Sequence, residues 1–138
     1  MIKSNKLFCY PDTLQNKFIP QAWQITIMSE FIKKEDREIS FYTGENHKTY
    51  KKLSLFKKKM ISQNNLKGFV FYSFIQFCYD KNNNLSLIEQ AIKKKYEIYF
   101  AREKIILRNI SEFKKKKKEL IYFKLTNKKV ISAILDNF

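Results

Sequence analysis

Residues 68–76 are the stretch that most constrains how this chain can fold. Their sequence, Gly-Phe-Val-Phe-Tyr-Ser-Phe-Ile-Gln, is almost continuously apolar and rich in aromatic and β-branched side chains. A run of this length that is apolar on both alternating faces is typical of a strand buried on both sides, as in a parallel sheet covered by helices. The pattern therefore predicts an α/β protein with this segment as its central strand.

Apolar runs before and after this segment alternate between strand and helix patterns. Short runs predict three more strands and a short edge strand, at Lys6–Tyr10, Glu38–Thr43, Tyr96–Phe100 and Ile105–Leu107. Helical spacing predicts helices at Pro20–Lys34, Lys48–Ser62 and Leu85–Lys95. Because such alternation implies right-handed crossovers, we expect a doubly wound, mostly parallel sheet of four or five strands in the order 2-1-3-4, with helices on both faces.

Helical spacing also indicates which side chains face the sheet. In the first predicted helix they are Trp23, Ile27, Met28, Phe31 and Ile32. Gln24 falls on the same side, either as a core residue with hydrogen-bond partners or as a group turned toward a crevice, and the sequence leaves both interpretations open. In the second predicted helix the inward residues are Tyr50, Leu53, Phe56 and Met60, with the lysines outside.

The chain is expected to form one domain, residues 1–138, with an α/β core at 5–108 and a helical extension at 109–138. Ser111 is the expected cap of the extension. Lys114–Lys118 surround a helix rather than form a stripe, because successive helical residues are turned by about 100°, so this turn is expected to project into solvent. The apolar side of the extension is a candidate surface for homo-oligomer formation.

The formal net charge is +15 and comes almost entirely from lysine, with arginine at Arg37, Arg102 and Arg108. Such a charge is typical of proteins that bind nucleic acids or anionic membranes. Nucleic-acid-binding proteins, however, rely on arginine for bidentate contacts, and AT-rich coding also enriches lysine, asparagine and isoleucine. The sequence leaves open whether the charge serves a polyanion or reflects codon usage.

Several kinds of site are not indicated. The sequence has no Gly-rich phosphate loop, no Gly-x-Ser-x-Gly elbow and no His/Cys/Asp cluster with metal spacing, so no cofactor and no metal are expected. Cys9 and Cys78 lie in apolar segments and are expected to be buried free thiols. No apolar run approaches the roughly 18 residues of a membrane span, so we expect no membrane insertion and a cytoplasmic protein.

Polar side chains collect at the carboxyl ends of the predicted strands, where open α/β sheets bind their ligands. Besides Asp12, they include the predicted ligand-binding residues: Tyr10, Gln24, Tyr72, Ser73, Gln76 and Arg102. Their aromatic rings and hydrogen-bonding groups suit a polyhydroxylated ligand. Glu45 and Glu103 are the candidate catalytic acids or bases if burial raises a pKa. Alternatively, Glu45 is a solvated turn residue and Glu103 pairs with Arg102 or a lysine, and whether a reaction occurs stays open.

Three segments carry a likeness to a known family. They are Ile-Pro-Gln-Ala-Trp-Gln at 19–24, the central segment at 68–76, and Tyr-Phe-Ala-Arg-Glu at 99–103. Over about residues 8–107 the chain resembles the sporadic carbohydrate cluster proteins, small bacterial proteins encoded among genes for surface-polysaccharide and unusual-sugar biosynthesis. It departs from their pattern at Cys9 and Tyr99, where Gly and His are expected, and at 77–78, where Leu-Pro is usual. The resemblance implies that pathway context but supplies no reaction.

The expected architecture, flavodoxin-like or resolvase-like, is also similar to the catalytic domain of serine recombinases. That chemistry needs a serine after the first strand and several arginines, yet no serine lies between Tyr10 and Met28 and no arginine follows the central strand before Arg102. Only the scaffold is therefore similar. The leading hypothesis is a protein of surface-carbohydrate biosynthesis that binds a sugar or nucleotide sugar at the strand ends. The alternative is a nucleic-acid-binding module that uses lysines of the second helix and Lys114–Lys118.

Overall fold

The computed structural model describes residues 4–62, 65–80 and 84–137. The strands are β1 Lys6–Tyr10, β2 Glu38–Tyr42, β3 Gly68–Phe71, β4 Glu97–Phe100 and β5 Ile105–Leu107. The α-helices are α1 Gln21–Lys33, α2 Ser54–Ile61, α3 Leu85–Lys93, α4 Ile110–Thr126 and α5 Lys128–Asp136, and 3-10 helices cover Thr13–Gln15 and Phe74–Phe77. Among the described helices, none has the length and apolar content required to cross a membrane.

The strands form one sheet in the order β2-β1-β3-β4-β5. All neighbours are parallel except β5, which runs antiparallel to β4. The predicted α/β class, the mostly parallel sheet and the order of its first four strands are therefore confirmed. This order is consistent with a flavodoxin-like fold.

The central segment lies where it was predicted, but its strand is shorter than expected. β3 pairs with β1 on one side and β4 on the other, and all four of its residues are buried. The prediction that the strand continues to Gln76 is wrong. Ser73 accepts a hydrogen bond from the Ile75 amide and forms a reciprocal capping box with Gln76, so the chain turns into a 3-10 helix at Phe74. These local side-chain bonds replace the strand ladder.

Alternate side chains of the strands enter two separate apolar clusters. One cluster joins Leu7, Cys9 and Val70 to the α1 residues Met28 and Ile32. The other is larger and aromatic, and it joins the remaining inward faces of β1, β3 and β4 to α2, α3, α4 and α5. Within it the Phe56 ring of α2 packs edge-on against several neighbouring aromatic rings. Both clusters run up to the carboxyl ends of β1 and β3.

Helix α1 contacts the sheet through a narrower line than its sequence suggests. Gln24, Met28 and Ile32, spaced four residues apart, are buried. The prediction that Trp23 and Ile27 also face the core is wrong, because they are 67% and 41% exposed. Each lies one residue, or about 100°, away from the buried line and therefore points to solvent.

Helix α3 begins at the predicted Leu85, but α2 and α4 start differently from the prediction. α2 starts at Ser54 rather than Lys48, because Leu53 adopts a left-handed conformation with φ of 51° that interrupts the helix. α4 is capped by Asn109, whose side chain accepts a hydrogen bond from the Glu112 amide, rather than by Ser111. Lys114–Lys118 lie within α4 and, apart from the half-buried Lys116, are exposed as expected.

Candidate functional site

A recess opens at the carboxyl edge of the sheet, between the loop after β1, the loop after β2 and the end of the β3 segment. We call it the edge recess. It encloses about 200 Å³ when its open mouth is included, while its inner part has room for about one water molecule. The polar residues and aromatic rings that line it include Asp12, Thr13, Glu45, Tyr50, Gln76 and Tyr79. It can therefore take one or two polar groups of a ligand that lies across its mouth.

The loop after β1 is held in place by Gln24. Its Oε1 accepts a hydrogen bond of 2.6 Å from the Asp12 amide, and its Nε2 donates to the carbonyls of Asp12 and Ile19 at 3.0 Å. The side chain is fully buried. Of the two interpretations left open by the sequence, the structure supports the core residue with hydrogen-bond partners, and Gln24 does not line the edge recess.

Asp12 forms one wall of the edge recess. Its Oδ1 accepts a bond of 3.0 Å from the Leu14 amide, and its Oδ2 accepts bonds of 2.7 Å from Gln15 Nε2 and 2.5 Å from the Tyr79 hydroxyl. Burial raises the pKa of Asp12, against the opposing effect of these donors. Burial and the nearby Asp12 charge likewise raise the pKa of Tyr79. Tyr79 is not predicted from the sequence, and Asp12 is not distinguished there from its polar neighbours.

Glu45 lines the edge recess from the loop after β2. Its two carboxylate oxygens accept hydrogen bonds of 3.0 Å and 2.8 Å from the Leu55 and Phe56 amides, so Glu45 caps α2. It is 5% exposed, so the alternative of a solvated turn residue is wrong. Burial raises the pKa of Glu45, against the lowering effect of the two amides and of Thr49.

Gln76, Ser73 and Glu103 lock together the ends of β1, β3 and β4. Gln76 Nε2 donates to the Tyr10 carbonyl at 3.0 Å, and its Oε1 accepts from the Ser73 amide at 3.1 Å. The Ser73 hydroxyl donates to Glu103 Oε2 at 2.6 Å, and the Phe74 amide donates to Glu103 Oε1 at 2.8 Å. Glu103 therefore caps the 3-10 helix, and of these three side chains Gln76 alone lines the edge recess.

The remaining predicted residues lie around the recess rather than in it. The buried Tyr10 ring stacks on Phe71 with 5.2 Å between the ring centroids. Burial raises the pKa of Tyr10, and the Glu45 charge adds to the effect. Tyr72 packs into the α1 cluster, where burial raises its pKa against the lowering effect of the Arg102 charge. Arg102 is exposed, and its amide donates to the Tyr72 carbonyl at 2.9 Å.

Counting donors shows which groups in the edge recess can still bind a ligand. Asp12 receives four donors, from the Leu14 and Gln15 amides, the Gln15 side chain and the Tyr79 hydroxyl, and these fill its acceptor positions. A carboxylate accepts about four hydrogen bonds, and Glu45 receives three, from Leu55, Phe56 and Thr49. The Gln76 amide uses one of its two N–H groups on Tyr10. Among the described residues, the recess therefore offers a ligand an acceptor position on Glu45 and an N–H donor on Gln76.

No protein-family model matches the chain, and no curated protein has a matching sequence. Within residues 4–62, 65–80 and 84–137, no group of three His, Cys, Asp or Glu side chains is placed to hold a metal ion. Cys9 and Cys78 are buried free thiols, as the sequence predicts, and burial raises the pKa of each to about 12.

Proposed function

We propose that this protein binds a sugar or activated sugar across the mouth of the edge recess, with ligand hydroxyl groups bonded to Glu45 and Gln76. The observation that carries the proposal is the pairing, in one recess at the strand ends, of a buried carboxylate with a spare acceptor position and an amide with a spare donor. A hydroxyl group both donates and accepts, so it satisfies such a pair.

The composition of the recess favours a neutral polyhydroxylated group over an anion. Two carboxylates, Asp12 and Glu45, line it and repel phosphate or carboxylate groups. Tyr50 and Tyr79 contribute aromatic surface, which packs against the C–H face of a sugar ring. The resemblance of 19–24, 68–76 and 99–103 to the sporadic carbohydrate cluster proteins favours the same class of ligand and a cytoplasmic biosynthetic pathway.

Glu45 is the residue that we propose for proton transfer in any reaction on this ligand. Burial raises its pKa above the ordinary value, which is the direction that favours a role as a general acid or base. Glu103 and Gln24 act in this proposal as positioning residues, since their polar atoms hold the loops around the recess. A ligand crevice at the strand ends agrees with a doubly wound sheet, which remains part of the proposal.

Saturation-transfer NMR with neutral sugars, sugar 1-phosphates and nucleotide sugars tests the proposal. Glu45→Gln should weaken binding of the responding sugar by at least about tenfold, because a charge-assisted bond is lost. Glu112→Gln is the matched control: the same substitution in a carboxylate that accepts a backbone amide, from Arg108 beside the start of α4, but lies outside the edge recess. Equal weakening in both variants, or no binding of any sugar, would contradict the proposal.

A further inference from the structure

A second, larger opening lies between β1, β2 and α2, and we call it the β1–α2 groove. It measures about 720 Å³ with its open side included. Phe8, Tyr10 and Phe41 form an aromatic floor, and Lys58 and Lys59 stand on the α2 side. Aromatic surface beside ammonium groups differs in character from the acidic edge recess.

Phe41 gives the β1–α2 groove an exposed aromatic face. It is 63% exposed, although the Phe8 ring lies 5.6 Å away and is itself buried. The strand that carries Phe41, β2, is at the end of the sheet. A planar heterocycle can stack on such a ring, and stacking of this kind tolerates different bases because every base has a π-face.

The lysines supply the charge that a phosphate group needs. Lys58 is exposed, and the Lys59 ammonium group lies 5.1 Å above the centroid of the Phe8 ring. Lysine ammonium groups bind phosphate as compact point charges. An aromatic face and ammonium groups in one groove therefore match a ligand that carries both a base and phosphates.

The groove and the edge recess are built from the same three segments of the chain. Tyr10 lines the groove and Pro11 the recess, at the end of β1. In the loop after β2, Thr43 lines the groove and Glu45 lines the recess. Around the start of α2, Leu55 lines the groove and Leu53 lines the recess. The basic and acidic openings are therefore neighbours, one suited to phosphates and the other to hydroxyl groups.

We infer that the β1–α2 groove binds the nucleoside diphosphate part of an activated sugar whose sugar ring lies over the edge recess. This inference rests on the proposed function and narrows its ligand to a nucleotide sugar. The base stacks on Phe41, the phosphates lie near Lys58 and Lys59, and the sugar hydroxyls reach Glu45. A single-stranded nucleic acid fits less well, because its next phosphate would meet the carboxylates of the recess.

Calorimetric titration with nucleoside diphosphates that lack the sugar tests the groove by itself. UDP, GDP, ADP and dTDP are the probes, and at least one should bind at low salt. Phe41→Ala should weaken that binding about tenfold through the loss of one stacking contact. Tyr122→Ala is the matched control, since Tyr122 is a similarly exposed aromatic residue that lies on α4, outside the groove; it should change binding by less than twofold.

Two double variants distinguish binding to the groove lysines from a general attraction to the positive charge of the protein. Lys58→Gln with Lys59→Gln should weaken nucleotide binding at least tenfold. Lys51→Gln with Lys57→Gln removes the same charge from α2 and the turn before it, outside the groove, and should change it by less than threefold. Equal effects of the two pairs, equal effects of Phe41→Ala and Tyr122→Ala, or tighter binding of an oligothymidylate than of any mononucleotide would overturn the inference.

The two proposals can fail separately. If a nucleotide sugar binds through Glu45 but is indifferent to Phe41→Ala and to the Lys58/Lys59 pair, the groove inference is wrong and the sugar-binding proposal stands. If nucleoside diphosphates bind through Phe41 while no sugar responds to Glu45→Gln, the proposed function is wrong and the inference, which needs the sugar, is wrong with it. Titrations of UDP and UDP-glucose against each variant provide both comparisons.

Discussion

The Ser73 hydroxyl donates a hydrogen bond of 2.6 Å to Glu103 Oε2, across 30 residues of sequence. It joins the turn after β3 to the turn after β4, and the Phe74 amide completes the link at the other oxygen of Glu103. Two residues that the sequence selects for a ligand site are therefore bonded to each other. Their arrangement fixes the shape of the sheet edge on which the edge recess is built.

Ser73→Ala should lower the free energy of unfolding by about 2 kcal/mol, because Ile75 N and the Glu103 carboxylate both lose a partner in a buried turn. Urea denaturation measures the change. Ser40→Ala, at an exposed position of β2, is the control and should change it by less than about 0.5 kcal/mol. Combining Ser73→Ala with Glu103→Gln should be less than additive, and strict additivity would contradict a direct coupling.

Gly68→Ala should destabilise the protein by about 3 kcal/mol. A Cβ at Gly68 would overlap the backbone of Glu97 on β4, and neither buried strand can move aside without breaking its pairing. Gly44→Ala is the matched comparison, since a Cβ there meets the side-chain methyl of Thr13 in a loop. It should cost about 1 kcal/mol by chemical denaturation. Equal costs at the two glycines would mean that the β3–β4 contact is looser than the structure indicates.

The raised pKa values of Asp12 and Glu45 predict how stability changes with pH. Between their ordinary values, 3.8 and 4.5, and the higher pKa values in the folded state, the folded protein holds more protons than the unfolded chain. Their contribution to the free energy of unfolding therefore falls as pH rises through that window. Glu45→Gln should flatten the fall, as measured by urea denaturation at a series of pH values. A slope unchanged by this substitution would show that Glu45 titrates normally.

Arg37→Met should destabilise the protein by about 2 kcal/mol at neutral pH. Arg37 Nε lies 3.0 Å from Glu97 Oε1, and Glu97 is 6% exposed, so the substitution leaves a buried carboxylate short of donors. Burial by itself raises the pKa of Glu97, but hydrogen bonds from Arg37 and Tyr99 bring it below its ordinary value.

The stability from this pair should therefore be present above the ordinary carboxyl pKa of 4.5 and be lost as pH falls through the lowered pKa. Lys6→Met is the control, because Lys6 bonds to Glu38 in an exposed pair at the same edge of the sheet. It should change the free energy of unfolding by less than about 0.5 kcal/mol. A cost for Arg37→Met that does not decrease in acid would contradict the ion-pair explanation.

Much of the sheet can be predicted because its strands are short apolar runs separated by helical patterns. The end of β3 at Phe71 cannot be predicted, because the capping box of Ser73 and Gln76 lies inside a run that is apolar on both alternating faces, as in one continuous strand. The exposure of Trp23 cannot be predicted either, because the apolar side of a helix sequence does not show how many of its residues contact the sheet. Leu53, directly before α2, adopts a left-handed conformation. Because this conformation is usual for glycine and asparagine rather than leucine, the sequence does not predict the start of α2.

The candidate site, like the fold, can be predicted only in part. Strand order places Glu45 and Gln76 at one edge, and both line the edge recess. The roles of Gln24 and Glu103 depend on which backbone groups lie within 3 Å of them, and such distances between segments are not encoded in spacing. Tyr79 reaches Asp12 because the chain turns at Ser73. The Ser73–Gln76 capping pattern is the sequence signal that could have indicated this turn.

The clamp that Gln24 forms on Asp12 has a consequence for the kinetics of ligand entry. With both the amide and the carbonyl of Asp12 held by one buried side chain, the wall of the recess is already shaped before a ligand arrives. Preorganised walls lose little entropy on association, so encounter with a ligand need not wait for a loop to close. The Asp12 amide should then exchange with deuterium slowly in the empty protein, and no slower once a ligand is bound.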